Sequence, residues 1–111
     1  MKRHELRMSR DAQQDLQDIY DYIADHDSPA KADHVMEQIT HAVDSLQTTP
    51  ARGSRPRELL ALGEAEYRQV FFKPYRIVYW IDDETRAVHI LLIADGRRDL
   101  RTLLTRRLLD A

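Results

Sequence analysis

The sequence predicts an α+β domain, a helical hairpin packed on a small, mainly antiparallel sheet in the order β-α-α-β-β-β with a C-terminal helix. Three observations lead there. Two amphipathic segments with a 3.6-residue apolar period follow each other almost without a linker in the first half. Three stretches rich in aromatic and β-branched residues, separated by short turns, fill the second half. A leucine-bearing tail then returns to helical spacing.

Each element has its own signal. Glu5 to Met8 offers a fourth strand, with Leu6 and Met8 pointing one way. Ser9 suits an N-cap for a helix whose apolar positions are Ala12, Leu16, Ile19, Tyr20 and Ile23, and Asp11 adds favourable charge in its first turn. The pattern stops near His26–Asp27. Ser28 caps a second helix with Pro29 at its first position, where a missing N–H costs nothing. Ala32, Val35, Met36, Ile39, Val43 and Leu46 carry that helix to about Thr48, and so tight a junction predicts an antiparallel hairpin. Two prolines and a glycine make Thr49–Pro56 a loop without regular pairing. Glu58–Glu66 reads either as a turn of helix or as an extended arm. Strands follow at Tyr67–Phe72, Tyr75–Ile81 and Arg86–Ala94, with turns at Lys73–Pro74 and Asp82–Thr85. Apolar residues of both parities in these strands predict that both sheet faces are at least partly covered. From Asp99 onward, Leu100, Leu103, Leu104 and Leu108 fall at helical spacing.

The 111 residues make a single domain, 1–111, and 42% hydrophobic composition is enough for one small core. No cysteine means no disulfide framework, no thiolate nucleophile and no cysteine-ligated zinc. Apolar runs are short, and the first ten residues are charged, so neither a membrane span nor a secretory signal is expected. A cytoplasmic location is the expectation. The net charge of −2 hides two unlike halves: residues 1–50 carry 5 Lys/Arg against 10 Asp/Glu, and residues 51–111 carry 12 against 9. Eleven of those twelve cations are arginine, whose planar fork suits phosphate and carboxylate. Ordinary solvated surface explains the same pattern.

Few motifs carry chemistry. His34, Glu37 and His41 share a solvent-facing side of the second helix, but a seven-residue step separates the histidines by about 10 Å, so no metal site is expected. Asp11, Asp15, Asp18 and Asp25 read as a solvated acidic stripe. The serines lack a nucleophile context, and the three glycines are too scattered for a phosphate loop. What remains is Arg68 and Arg76 within strands, Arg97 and Arg98 after the last strand, and His89 inside it. An arginine-bearing sheet surface suits an RNA phosphodiester, with Glu66 and His89 as candidate base and acid. The plainer reading, preferred from the residues alone, is that Arg68 and Arg76 bridge acidic neighbours at the sheet edge.

These residues also carry a resemblance. Tyr67–Arg68, then Pro74–Tyr75–Arg76–Ile77–Val78–Tyr79, resembles the "YR…PYRIVY" core of the ParE/RelE toxin superfamily of type II toxin–antitoxin systems. Ala12, Asp15, Leu16, Ile19 and Tyr22 are similar to its first-helix pattern, and Ala32, Ile39 and Leu46 to its second. Pro50, Gly53 and Arg57–Glu58–Leu59 resemble the connection that follows, and Val88–Ile93 with Gly96–Arg97–Arg98 the last strand and its ending. The likeness covers about residues 6–104.

It implies a growth-inhibiting, plasmid-stabilising type of toxin without a cofactor, neutralised by a ParD-like antitoxin that folds as it binds. DNA would be reached only indirectly, through the antitoxin. RelE-like members cleave messenger RNA on the ribosome with basic residues plus a tyrosine or histidine near the C-terminus, whereas ParE-like members poison DNA gyrase. Here no histidine, tyrosine or lysine follows His89, and Asp95 stands before Gly96 where relatives often carry histidine. The ParE-like branch is therefore expected, with Arg68, Arg76, Arg97, Arg98, Leu100, Leu103 and Leu104 as partner-binding residues. The alternatives are a ribosome-dependent endoribonuclease using Arg68, Arg76, Glu66 and His89, or a degenerate member that binds antitoxin without toxicity.

Overall fold

The computed structural model describes residues 3–110. Its elements are β1 (Glu5–Met8), α1 (Arg10–His26), α2 (Pro29–Asp44), α3 (Arg57–Leu60), β2 (Tyr67–Phe72), β3 (Tyr75–Asp82), β4 (Ala87–Asp95) and α4 (Leu100–Asp110). The sheet runs β1-β4-β3-β2, with β1 parallel to β4 and the other neighbours antiparallel. This is the α+β hairpin-on-sheet architecture that the pattern predicts.

Local chemistry sets the helix starts. The Ser9 hydroxyl oxygen accepts from the Ala12 N–H at 3.1 Å, and the Ser28 hydroxyl oxygen from the Lys31 N–H at 3.1 Å. Each such cap contributes about 1 kcal/mol. Only Asp27 and Ser28 separate the two helices, which forces them to fold back on each other.

The strand ends shift by one residue, to Asp82 for β3 and to Ala87–Asp95 for β4, and two segments differ more from the expectation. The second helix ends at Asp44 and continues as a tighter 3-10 turn over Ser45–Gln47, which still buries Leu46. The Ser45 hydroxyl donates back to the Ala42 carbonyl at 2.7 Å, a local bond that competes with the α-helical ladder. The segment after it is not free of pairing. Pro50–Arg52 forms one 3-10 turn, and Ser54 bridges Gln69 at the edge of β2 through N–H···O bonds of 3.1 and 2.7 Å. Gly53 permits that approach: a Cβ there would lie 2.5 Å from the Tyr79 hydroxyl and 2.6 Å from the Gln69 carbonyl oxygen.

The hairpin covers one face of the sheet. Ala12, Ile23, Val35, Ile39 and Val43 pack there against Val70, Ile77, Tyr79, Val88, Ile90 and Ile93. A smaller cluster on the opposite face joins Leu59, Val78, Leu92 and Ala94 to Leu100 and Leu104 of α4. A bulge explains how β4 serves both. Val78 pairs with Leu92 but Tyr79 with Ile90, so Leu91 is the extra residue. The alternation slips there, and both Leu91 and Leu92 join the α4 cluster.

Candidate functional site

The strand register decides which of the candidate residues meet. Arg68 pairs with Tyr79, whose side chain belongs to the hairpin face, whereas Arg76 pairs with Phe71 one parity away. Side chains of opposite parity leave opposite faces of a strand pair. Arg68 and Arg76 therefore lie on different sides of the sheet, and no single phosphate touches both.

Each arginine is already engaged. Arg68 donates to the Gly53 carbonyl at 2.9 Å and the Ala51 carbonyl at 3.3 Å, tying the segment before α3 to β2. The Tyr79 hydroxyl does similar work nearby, donating to the Pro50 carbonyl at 2.6 Å and accepting from the Gly53 N–H at 3.1 Å. Burial pushes this phenol's pKa up, so it stays a neutral donor. Arg76 makes a two-pronged bridge to Glu58 at 2.7 and 2.9 Å, and its Nε donates to the Gln69 side-chain oxygen at 2.8 Å. The Arg76 hydrogen bonds hold the Glu58 carboxyl well below the usual range, at about 2. The expected bridging of an acidic neighbour thus holds for Arg76, while Arg68 binds backbone carbonyls instead.

Arg76 forms the floor of an open groove of about 680 Å³ whose rim carries Arg57, Lys73 and Arg101. Phe71 stands half exposed in it, with the Arg76 guanidinium 5.9 Å from the ring centre. Gly96 lets the Arg76 stem pass, since a Cβ there would sit 2.9 Å from the Arg76 Cδ. The groove is basic, with Glu58 as its built-in anion.

The candidate base and acid lie elsewhere. His89 stacks on Trp80, centroids 4.3 Å apart and planes 9° from parallel, and its buried Nε2 has no hydrogen-bond partner among the described residues. It stands five residues along β4 from Ala94, the partner of Arg76, which is roughly 16 Å of strand. Glu66 is exposed in the turn before β2. Arg68, Arg76, Glu66 and His89 thus occupy both faces and both ends of the sheet.

Arg97 and Arg98 extend from the chain after β4 and are exposed. Arg97 closes on Asp95 at 2.5 Å, and this contact lowers the Asp95 carboxyl pKa. Leu100 and Leu104, expected as partner contacts, are instead fully packed in the α4 cluster, so their apolar surface is covered by Leu59, Val78 and Leu92. Leu103 is half-buried beside them.

The Asp15–Arg107 pair departs from the sequence expectation. Asp15 does not belong to a solvated stripe: only 17% of its side chain is exposed. Its two oxygens accept from Arg107 of α4 at 3.0 Å each, and Oδ2 also accepts from the Ile93 N–H at 2.9 Å. Arg107 in turn donates to the Leu91 carbonyl at 2.9 Å. A helical periodicity reports that Asp15 lies at the edge of the apolar stripe, but not that an arginine 92 residues away reaches it. His34, Glu37 and His41 are exposed, and no metal-holding group of three ligands occurs among the described residues. Nor is any described helix long and apolar enough to cross a membrane.

Comparison with known proteins places this geometry. The profile of the family described as "ParE toxin of type II toxin-antitoxin system, parDE" matches residues 6–100. The chromosomal ParDE toxin–antitoxin system from P. aeruginosa contains a similar chain, 25% identical, with a TM-score of 0.69 over 83% of this chain and 95% of that one. The toxin–antitoxin complex RelBE2 from Mycobacterium tuberculosis contains another, 27% identical, with a TM-score of 0.59 over 86% and 93%. A mutant of the E. coli toxin RelE in the free state shares the fold at 14% identity, with a TM-score of 0.63 over 96% and 98%. No curated protein sequence matches the chain.

Proposed function

This chain belongs to the ParE toxin family of type II toxin–antitoxin systems, and from that premise we propose that it acts by binding DNA gyrase rather than by cutting RNA. One observation carries the choice: the residues that a nuclease would need are dispersed. A general base and acid must reach the reacting atoms within hydrogen-bond distance. Glu66 and His89 lie far along the strands from Arg76, and Arg68 faces the other way. Arg76, the strand arginine that lines the open groove, is neutralised by Glu58 at 2.7 Å. A phosphodiester entering there would have to displace a carboxylate whose pKa is held near 2.

The exposed basic groups then serve as binding groups. Arg57, Lys73 and Arg101 around the groove, with Arg97 and Arg98 beyond it, favour encounter with an acidic protein surface. A ParD-like antitoxin is the neutralising partner on this reading, in line with the toxin–antitoxin complexes of similar fold. Purified toxin is expected to inhibit gyrase supercoiling of relaxed plasmid and to accumulate cleaved gyrase–DNA complexes. Gyrase that supercoils normally at a large molar excess of toxin overturns the proposal.

A further inference from the structure

Three large apolar side chains stand uncovered around the Arg76 groove. Phe71 is 50% exposed, Leu60 44% and Leu62 43%, while the other large apolar side chains exposed among the described residues, Tyr22 and Leu109, lie elsewhere. Ala61, between the two leucines, lines the groove together with Phe71. Leu60 follows Arg57, another lining residue, by three positions, which makes them neighbours on α3. Single exposed leucines are ordinary on a protein surface, but a cluster rimmed by polar groups marks a docking place.

The leucines are held out by a bonded turn. Leu59 is fully buried in the α4 cluster and anchors the segment from below. Its carbonyl accepts from the Leu62 N–H at 3.0 Å and from the Glu64 N–H at 2.8 Å, and the Leu60 carbonyl accepts from the Gly63 N–H at 3.0 Å. Gly63 closes the turn at φ +81°, a conformation that a side chain would strain. Phe71 is fixed by its strand, opposite Arg76. Apolar groups held in place in this way dock at a lower ordering cost than groups on a loose loop.

Charge selects the kind of occupant. Arg57 from α3, Lys73 from the β2–β3 turn and Arg101 from α4 reach the groove from three directions, and none enters an ion pair among the described residues. Arg76 in the floor differs, since each of its three nitrogens already donates to Glu58 or Gln69. The free cations are therefore at the rim, and the exposed group between them is an aromatic ring. An apolar centre inside a charged rim is the anatomy of a protein interface, with aromatic and arginine side chains as its usual anchors.

We propose that Phe71, Leu60 and Leu62, with Arg57, Lys73 and Arg101 around them, form the surface on which the chain seats its protein target. The occupant is a segment of gyrase whose apolar side chains cover Phe71 and the two leucines and whose acidic side chains meet the three cations. This rests on the gyrase reading given above and adds to it the place of contact.

The test compares variants in the supercoiling assay, each first shown to be folded by circular dichroism. Phe71→Ala and the double variant Leu60→Ser/Leu62→Ser are each expected to raise the half-inhibiting concentration by about tenfold or more. Arg101→Glu is expected to weaken inhibition more at low salt than at high salt. Leu109→Ser removes a leucine that is 80% exposed away from the groove, and is expected to inhibit as the parent does. If Phe71→Ala does not fold, the leucine pair and Arg101→Glu decide. A parent that inhibits gyrase while these variants match it overturns the surface and leaves the gyrase reading standing. An equal loss in Leu109→Ser also overturns the surface, and a parent without effect on gyrase overturns both. A sedimenting dimer that Phe71→Ala abolishes gives the surface to a second copy, and single-stranded RNA bound by the parent but not by Phe71→Ala gives it to nucleic acid. Either result overturns the assignment to gyrase.

Discussion

The two faces of the sheet are closed in different ways. On the hairpin face, a helix pair with two capped starts lays an apolar stripe on Val70, Ile77, Tyr79, Val88 and Ile90. On the other face, α4 packs over Leu59, Val78, Leu92 and Ala94, and that face also carries the Trp80–His89 stack and an open groove around Arg76. The first face is a core and the second is partly a surface. The difference teaches that arginine has two jobs here. Arg68, Arg76 and Arg107 are ties, each spending its donors on carbonyls or a carboxylate of the chain itself. Arg57, Arg98 and Arg101 are exposed and face solvent or groove.

The largest effects should come from the hairpin face. Ile39→Ala removes a side chain that is 1% exposed between the helix and the sheet, and is expected to cost about 3–4 kcal/mol by urea denaturation. Leu104→Ala, equally buried but in a terminal helix able to settle over the gap, is expected to cost about 2–3 kcal/mol. A larger loss at Leu104 than at Ile39 breaks the comparison.

Asp15→Ala tests the tie between the faces. It leaves Arg107 and the Ile93 N–H without their carboxylate, so a loss of about 2 kcal/mol is expected, with faster amide exchange at Ile93. An unchanged Ile93 amide would show that the pair does not guard the strand edge.

Tyr79→Phe deletes one hydroxyl that serves two backbone groups, and is expected to cost about 1–2 kcal/mol in thermal denaturation. A neutral result would mean that water or a shift of Gly53 replaces it.

Glu58 gives the pH dependence. Its carboxyl falls from an ordinary 4.5 to about 2 through Arg76, so its contribution is fully present above pH 4.5 and is lost as pH falls toward 2. Glu58→Gln is expected to lower stability by about 1 kcal/mol at pH 7, since Glu58 keeps some contact with water. The gap to the parent closes through that acid window. A gap that stays constant down to pH 2 contradicts the assignment. Smallest of all is Arg98→Ala, expected to leave stability within about 0.5 kcal/mol, because its side chain is exposed. A clear loss of stability would move Arg98 from the contact class to the ties.

Most of the fold was legible because its signals are local. Ser9 and Ser28 announce the helix starts, Pro29 fixes the second, and the strands from Tyr67 onward show their aromatic and β-branched character. Even the four-residue β1 falls at Glu5–Met8 as read. What the residues alone did not reveal depends on distant partners. The leucines of the tail pack as core because Leu59 and Val78 offer them a face. Asp15 looks like one more exposed acid until Arg107 arrives from the far end of the chain. The separation of Arg68 from Arg76 follows from pairing with Tyr79 and Phe71, and register across a hairpin with a bulged neighbour is not visible in periodicity.

The central claim is that this scaffold binds its target and does not cut RNA. Mapping transcript 5′ ends in cells after induction of the chain tests it most directly. Growth arrest with transcripts intact across their coding regions is the predicted result. Rapid cuts at a fixed codon position, appearing before growth stops, would contradict it.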